Sequence, residues 1–277
     1  MTRTVFITGT STGIGRATAE RFHAEGWNVV ATMRSPADAG ELAALTNVIV
    51  PRLDVTDEDS IESAVAEAQA TFGGVDVLVN NAGFGAYGPL EVSSMDVVRR
   101  QFDTNVIGLL AVTKALVPIL RERGDGAIVN LSSVGGRIAF PLGSLYHGSK
   151  FAVEGLSEAL AYELAPLGIR VKVIEPGLVD TDFAGRSFVF SADPHGGPYQ
   201  PTVTVALTTL TAMQERGATS AMAVAETILG AATDGTRRLR YPVGDDAVAL
   251  LGARAQLDDA AFQEMIRGTF GLATDVG

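Results

Sequence analysis

The chain has 277 residues, 47% of them apolar, which suits one large α/β domain or two small ones. A formal charge of −11 argues against nucleic-acid phosphates and against an anionic membrane surface as partners. Cysteine is absent, which excludes disulfides, thiolate nucleophiles and cysteine-based zinc sites, and His23, His147 and His195 are too widely spaced for a metal-ligand motif.

Short β-branched runs alternate with longer amphipathic segments. Residues 5–7 are the first expected strand, followed by a helix over 13–25 closed by Gly26. Strands are expected over 27–33 and 48–53. A helix over 57–72 follows, with Thr56 as a plausible cap. Residues 75–79 predict strand four, 94–121 one long helix, and 127–131 strand five. A helix over 144–165 and a strand over 169–174 complete the regular part. Buried strands alternating with helices mean parallel pairing through right-handed crossovers. The expectation is a doubly wound, mostly parallel sheet with helices on both faces, in a single domain spanning 1–277. Its core is placed at about 1–182, and a variable substrate-binding part at about 183–277. Residues 180–201, rich in Gly, Pro and Phe, read as a loop or broken helix. Helices are expected near 203–216, 220–233 and 257–269, with a last strand at 239–241. No uninterrupted apolar run reaches bilayer length, and the N-terminus enters strand one with no leader-like stretch, so the expected location is the cytoplasm.

The first strand runs into Thr8-Gly9-Thr10-Ser11-Thr12-Gly13-Ile14-Gly15. Glycines there let the backbone turn tightly and approach a pyrophosphate, while the next helix offers free amides and the positive end of its dipole. The spacing is neither GxGxxG nor a P-loop, because Arg16-Ala17 follows Gly15. Such a turn also serves as a plain connection. Its place at the first crossover of a parallel sheet favours the dinucleotide.

Further motifs occur in register: Asn80-Asn81-Ala82-Gly83, Ser133, Tyr146-x-x-x-Lys150 and Pro176-Gly177. With the glycine turn they resemble the short-chain dehydrogenase/reductase family over roughly residues 4–182. The resemblance implies that the segment from Gly9 to Gly15, including Ser11, Thr12, Gly13 and Ile14, holds the cofactor pyrophosphate. It implies that Asp54 and Val55 contact the adenine, with a turn or cap role as the alternative for Asp54. Asn81, Ala82 and Gly83 would line the adenosine side. Pro176, Gly177 and Thr181 would flank the nicotinamide.

Tyr146 and Lys150 at i and i+4 share one helix face. A lysine ammonium nearby is expected to lower the phenol's pKa of about 10 by roughly 1–3 units. The resemblance implies that Tyr146 exchanges the proton with the alcohol oxygen, that Lys150 tunes it and bonds the nicotinamide ribose, and that Ser133 orients the carbonyl. Asn105 would support a water relay to the lysine; its alternative is a buried amide bonded to neighbouring backbone. Ser132 should point away by strand alternation, and His147 reads as structural. The short tyrosine–lysine spacing differs from that of the family's enoyl reductases and favours carbonyl chemistry.

At the end of strand two, Val30-Ala31-Thr32-Met33-Arg34 offers no acid for the ribose hydroxyls, while Arg34 can pair with a 2′-phosphate. The expected cofactor is therefore NADP(H), with NAD(H) second. Ser11 or Thr12 can add a hydroxyl donor. Phe183, Phe188, Phe190, Tyr199 and the loop Phe84-Gly85-Ala86-Tyr87 are candidate walls for a small-molecule carbonyl or alcohol, although aromatic clusters also serve as core. The Ala31–Arg34 stretch and the long tail look similar to the hydroxysteroid and retinol dehydrogenase branch. The family's pairing of its two long helices implies a homodimer or homotetramer. Competing functions are a non-catalytic NADP-binding regulator, which would tend to lose the tyrosine or lysine, and an epimerase or dehydratase of the extended branch, which carries another glycine spacing.

Overall fold

The computed structural model describes residues 2–182, 185, 187–215 and 217–272. In order, its elements are β1 (Thr4–Thr8), α1 (Gly13–Ala24), β2 (Asn28–Thr32), β3 (Val48–Ile49), α2 (Glu58–Phe72), β4 (Val77–Asn80), β5 (Gly85–Tyr87), α3 (Met95–Phe102) and α4 (Leu109–Arg123). These continue with β6 (Gly126–Leu131), α5 (Ser144–Leu164), β7 (Ile169–Pro176), β8 (Val179–Asp180), β9 (Phe188–Phe190), α6 (Gln200–Glu215), β10 (Thr219–Ser220), α7 (Ala221–Thr233), β11 (Arg240–Val243), α8 (Asp245–Gln256) and α9 (Asp259–Thr269).

Strand β1 is buried along its whole length and pairs in parallel with β2 on one side and β4 on the other. Seven strands form one parallel sheet in the order β11-β7-β6-β4-β1-β2-β3. The pleat sends alternate side chains to opposite faces. Val5 and Ile7 meet Phe22, Trp27, Val224 and Ile228 on the side covered by α1 and α7. Phe6, Leu78 and Ile128 meet Ile61, Leu116 and Leu120 on the side covered by α2 and α4. The chain winds outward from β1 in one direction and from β4 in the other, so a crevice opens between their carboxyl ends, where such sheets bind ligands.

The structure corrects several expectations. Strand three pairs only over Val48–Ile49, because Pro51 has no N–H to donate; beyond it a single bridge joins Met33 to Arg52. Asp57, not Thr56, caps α2, its carboxylate accepting from the Ser60 amide. The predicted long helix is two helices joined by a π-helical turn, Asp103–Gly108. The run Met95–Arg123 is in fact long and apolar enough to cross a bilayer by composition, with mean hydropathy 1.5, but half of its most apolar window is buried in the fold. Helix α8 has no counterpart in the predicted pattern. The last expected strand forms as β11 and extends the sheet beside β7, while α7 packs on the α1 side.

Candidate active site

The glycine turn follows β1. Gly9 and Gly13 have φ of +73° and +57°, a region that side chains disfavour. A Cβ on Gly15 would fall 2.2 Å from the Gly9 carbonyl oxygen and 2.4 Å from Asn81 Nδ2, so only glycine lets the turn close onto α1. Asn81 then locks it, its amide donating to the carbonyls of Thr8 and Gly9, both at 2.9 Å. The Asn81 and Ala82 amides donate to Thr8 Oγ1. Thr12 is the N-cap of α1, yet its hydroxyl makes no capping bond, so no cap side chain claims the first amides. Ser11, Thr12, Gly13 and Ile14 remain partly exposed around them. A Cβ on Gly13 would touch the Thr181 methyl at 3.5 Å, which brings the turn and the loop after β7 face to face. This cradle of glycines, free amides and opposed loop fits a dinucleotide pyrophosphate.

Arg34 is exposed just beyond β2. Val55 is buried, and Gly108 sits on it so closely that a Cβ there would fall 2.6 Å from Val55 Cγ2. Asp54 Oδ1 accepts from the Thr56 amide at 3.0 Å and hydroxyl at 2.8 Å, the turn geometry offered as its alternative role. Pro176 closes β7; the Gly177 amide donates to the Val243 carbonyl, and Asp246 on α8 accepts from the Leu178 amide at 2.8 Å. Asp246 carried no sequence signal, because it lies in the helix the pattern missed.

Ser133 stands at the carboxyl end of β6. Its Oγ accepts from the Gly135 amide at 3.0 Å and donates to the Pro176 carbonyl at 3.4 Å, and its hydroxyl is close enough to Tyr146 to act on the phenol's pKa. Ser132 turns into the protein, buried. Burial pushes the Tyr146 phenol above its ordinary value, opposed by the Ser133 hydrogen bond. This departs from the expectation that Lys150 lowers it. The ammonium is 5.9 Å from the Tyr146 ring centroid and donates instead to the Leu131 carbonyl at 2.7 Å. Burial brings Lys150 itself down to about 8, and the charge of Glu154 holds it up.

Glu154, one turn beyond Lys150, is 4% exposed and accepts from Arg240 Nε at 2.8 Å. Its other oxygen, Oε1, is buried without a hydrogen-bond partner. Arg240 also binds Glu158 at 2.6 Å and approaches Glu175 at 3.8 Å; Arg137 lies 3.3 Å from Glu175. Burial and then the Glu154 charge push Glu175 up to about 7 against the pull of the two arginines. The i+4 spacing from Lys150 was the available signal for Glu154.

Asn105 sits in the π turn, buried. It accepts from the Phe84 amide at 3.0 Å and donates to the Phe84 carbonyl at 2.9 Å and to Ser149 Oγ at 3.1 Å. This is the buried-amide arrangement, with Gln101 a second clamp on the same carbonyl at 2.9 Å. Gly83 lies against Asn105, since a Cβ there would be 3.1 Å from Oδ1. His147 is structural in its contacts: Nδ1 bonds the Gly135 carbonyl and Nε2 accepts from the Phe140 amide.

Of the candidate walls, Phe84 is core, buried beneath the Arg100 guanidinium. Tyr199 bonds Glu91 at 2.8 Å. Tyr87, Phe188 and Phe190 are half-buried near Tyr146, and Phe183 lies outside the described residues.

The short chain dehydrogenase family profile matches residues 3–189. The chain belongs to the short-chain dehydrogenase family. An uncharacterized oxidoreductase of Schizosaccharomyces pombe is 42% identical over 245 residues, covering 87% of this chain and 100% of that protein. A short-chain dehydrogenase structure from Streptomyces avermitilis has a TM-score of 0.84 at 34% identity, covering 99% of this chain and 100% of that one. The structure of ElxO with NADP bound has a TM-score of 0.74 at 25% identity, covering 90% of this chain and 100% of that one. The chain is thus an oxidoreductase of this family, acting on a small molecule.

Proposed function

We propose that this dehydrogenase moves a hydride between NADP(H) and a carbonyl or secondary alcohol carbon of an apolar substrate, with Tyr146 as the proton-transfer residue. The observation that carries the reading is the grouping of Ser133 and Tyr146 at the carboxyl edge of the sheet, beside the buried Lys150 and across from the glycine cradle.

The nicotinamide, when bound, supplies or accepts the hydride. Gly9, Gly13, Gly15 and the first amides of α1 hold the pyrophosphate. Asn81, Ala82 and Gly83 line the adenosine side, with Asp54 and Val55 toward the adenine. Pro176, Gly177 and Thr181 flank the nicotinamide. Ser133 donates to the carbonyl oxygen and opposes its developing charge. A phenol kept neutral by burial is set to give that oxygen its proton in reduction. In oxidation the same oxygen takes the proton back, and the buried ammonium of Lys150 supports the phenolate. Asn105 acts as a positioning residue by holding the π turn against Phe84.

Tyr146→Phe is expected to lower kcat by at least a hundredfold and leave the NADPH Kd within a few-fold, because general acid catalysis contributes 10²–10⁴-fold. A loss of tenfold or less would overturn the assignment. It also separates an enzyme from a cofactor-binding regulator, which would be indifferent to the change.

The exposed Arg34 and the lack of an acid after β2 support NADP(H) over NAD(H). ElxO, whose structure at 25% identity holds NADP, supports it as well. Arg34→Ala is expected to raise the KM for NADPH by tenfold or more, the scale of one charge-assisted phosphate contact, and to spare the KM for NADH. Equal turnover with NADH in the parent enzyme would sink this choice.

Helices α3 to α5 expose Phe102, Ile107, Phe151 and Tyr162. This apolar face supports a two-fold dimer or tetramer, to be read by light scattering. A cytoplasmic location fits the acidic composition.

A further inference from the structure

The pleat of a small second sheet decides what faces the catalytic phenol. Strands β5 and β9 pair in parallel, with Gly85 opposite Phe188, Ala86 opposite Val189 and Tyr87 opposite Phe190. Ala86 and Val189 pack into the apolar cluster formed with Phe84 and Leu145. Alternation therefore puts Tyr87, Phe188 and Phe190 together on the opposite face. That face carries an aromatic row that begins at the reacting group. Ring centroids lie 5.4 Å apart from Tyr146 to Tyr87, 5.3 Å from Tyr87 to Phe188 and 6.4 Å from Phe188 to Phe190, with the last two pairs stacked. Tyr146, Tyr87, Phe188 and Phe190 are each only partly buried. Among the described residues no cation stacks on Tyr87, Phe188 or Phe190, whereas Arg100 covers Phe84 at 4.5 Å.

We infer that this row is the specificity wall of the enzyme, and that it selects an extended apolar carbonyl compound or secondary alcohol whose oxygen sits at Ser133 and Tyr146 while its chain or fused rings lie along Tyr87, Phe188 and Phe190. This rests on the oxidoreductase reading and deepens it. A row three ring-steps long is wasted on a short polar keto acid, which would also leave its charge against apolar faces with no partner. An elongated apolar molecule buries its length there at about 0.8 kcal/mol per methylene. Tyr87 is the specificity-determining member, because it joins the phenol to the loop strand.

The test uses the intact enzyme with NADPH and a series of methyl ketones from four to twelve carbons. In the parent enzyme KM is expected to fall about fourfold per added methylene across the first several members, that being 0.8 kcal/mol expressed as a ratio. Phe188→Ala is expected to flatten this dependence beyond the shortest ketones, with the change falling on KM rather than kcat. Phe190→Ala is expected to flatten it only for the longest. Turnover of the whole series by the parent with KM constant within twofold would overturn the wall while leaving the oxidoreductase reading in place. An unchanged slope in both variants would do the same. No turnover of any member by the parent would overturn the proposed carbonyl–alcohol reaction, and this inference with it.

Discussion

Lys150 is held by two buried partners of different kinds: the Leu131 carbonyl, which takes its proton donor, and Glu154, whose charge keeps it protonated against the cost of burial. Glu154 is in turn neutralised by Arg240 from β11. Removing the glutamate charge takes away the support and leaves the arginine as an added cation, and both effects favour the neutral lysine. Glu154→Gln is therefore expected to move the alkaline limb of the kcat/KM profile down by about one pH unit, measured between pH 6 and 10. A limb that stays in place would show that Glu154 does not support the lysine. At this scale the sequence revealed the residues but not their partners. The resemblance named Tyr146, Lys150 and Ser133, and the structure gathers them. Asn105 and Asp54 were legible as positions, but which backbone groups they bind depends on how Phe84 and Thr56 pass by, and no spacing encodes that.

Elements were legible wherever composition and periodicity agreed. All the main strands up to β7 lie within a few residues of expectation. Failures have local causes. Pro51 cuts β3 short because a ladder donor is missing. The π turn after α3 is invisible to a 3.6-residue pattern, since the flanking helices stay amphipathic on either side of it. Helix α8 begins with Asp245 and Asp246 and buries little, so its apolar rhythm is weak. The glycine turn is the element we propose for cofactor binding, and Gly15 is its tightest point. Gly15→Ala is expected to force the turn open and weaken NADPH binding by tenfold or more in a fluorescence titration. Gly230→Ala is the contrast: it lies in α7, where a Cβ meets nothing within 4 Å, and the change is expected to stabilise the fold by roughly 0.5–1 kcal/mol. Equal effects of the two substitutions would count against the cradle.

For the whole molecule, the buried titratable groups set how stability follows pH. The folded pKa of Glu175 is raised to about 7 from an ordinary 4.5. Its contribution is fully present below pH 4.5 and is lost as pH rises through 7, on the order of 3 kcal/mol. His147 runs the other way. Burial lowers its folded pKa below 6.5, so its contribution is present above that value and is lost as pH falls further. Glu175→Gln is expected to abolish most of the decline between pH 5 and 8 in thermal melts, leaving the acid-side loss in place. A parent-like slope in the variant would assign the decline to other groups. None of this is legible from composition, since the net charge of −11 gives no hint that one carboxyl sits 1% exposed beside two arginines.

The ceiling above the Tyr146 ring hangs on very little backbone. Strands β5 and β9 match over three residue pairs, bounded by bonds from the Gly85 amide to the Ser187 carbonyl and from the Ser191 amide to the Tyr87 carbonyl, both 2.8 Å. None of these bonds belongs to the seven-stranded sheet, so the small ladder can unzip while the large one stays whole. Entry of a reactant and escape of a product are expected to share that opening, and a fall in turnover as solvent viscosity is raised would report it.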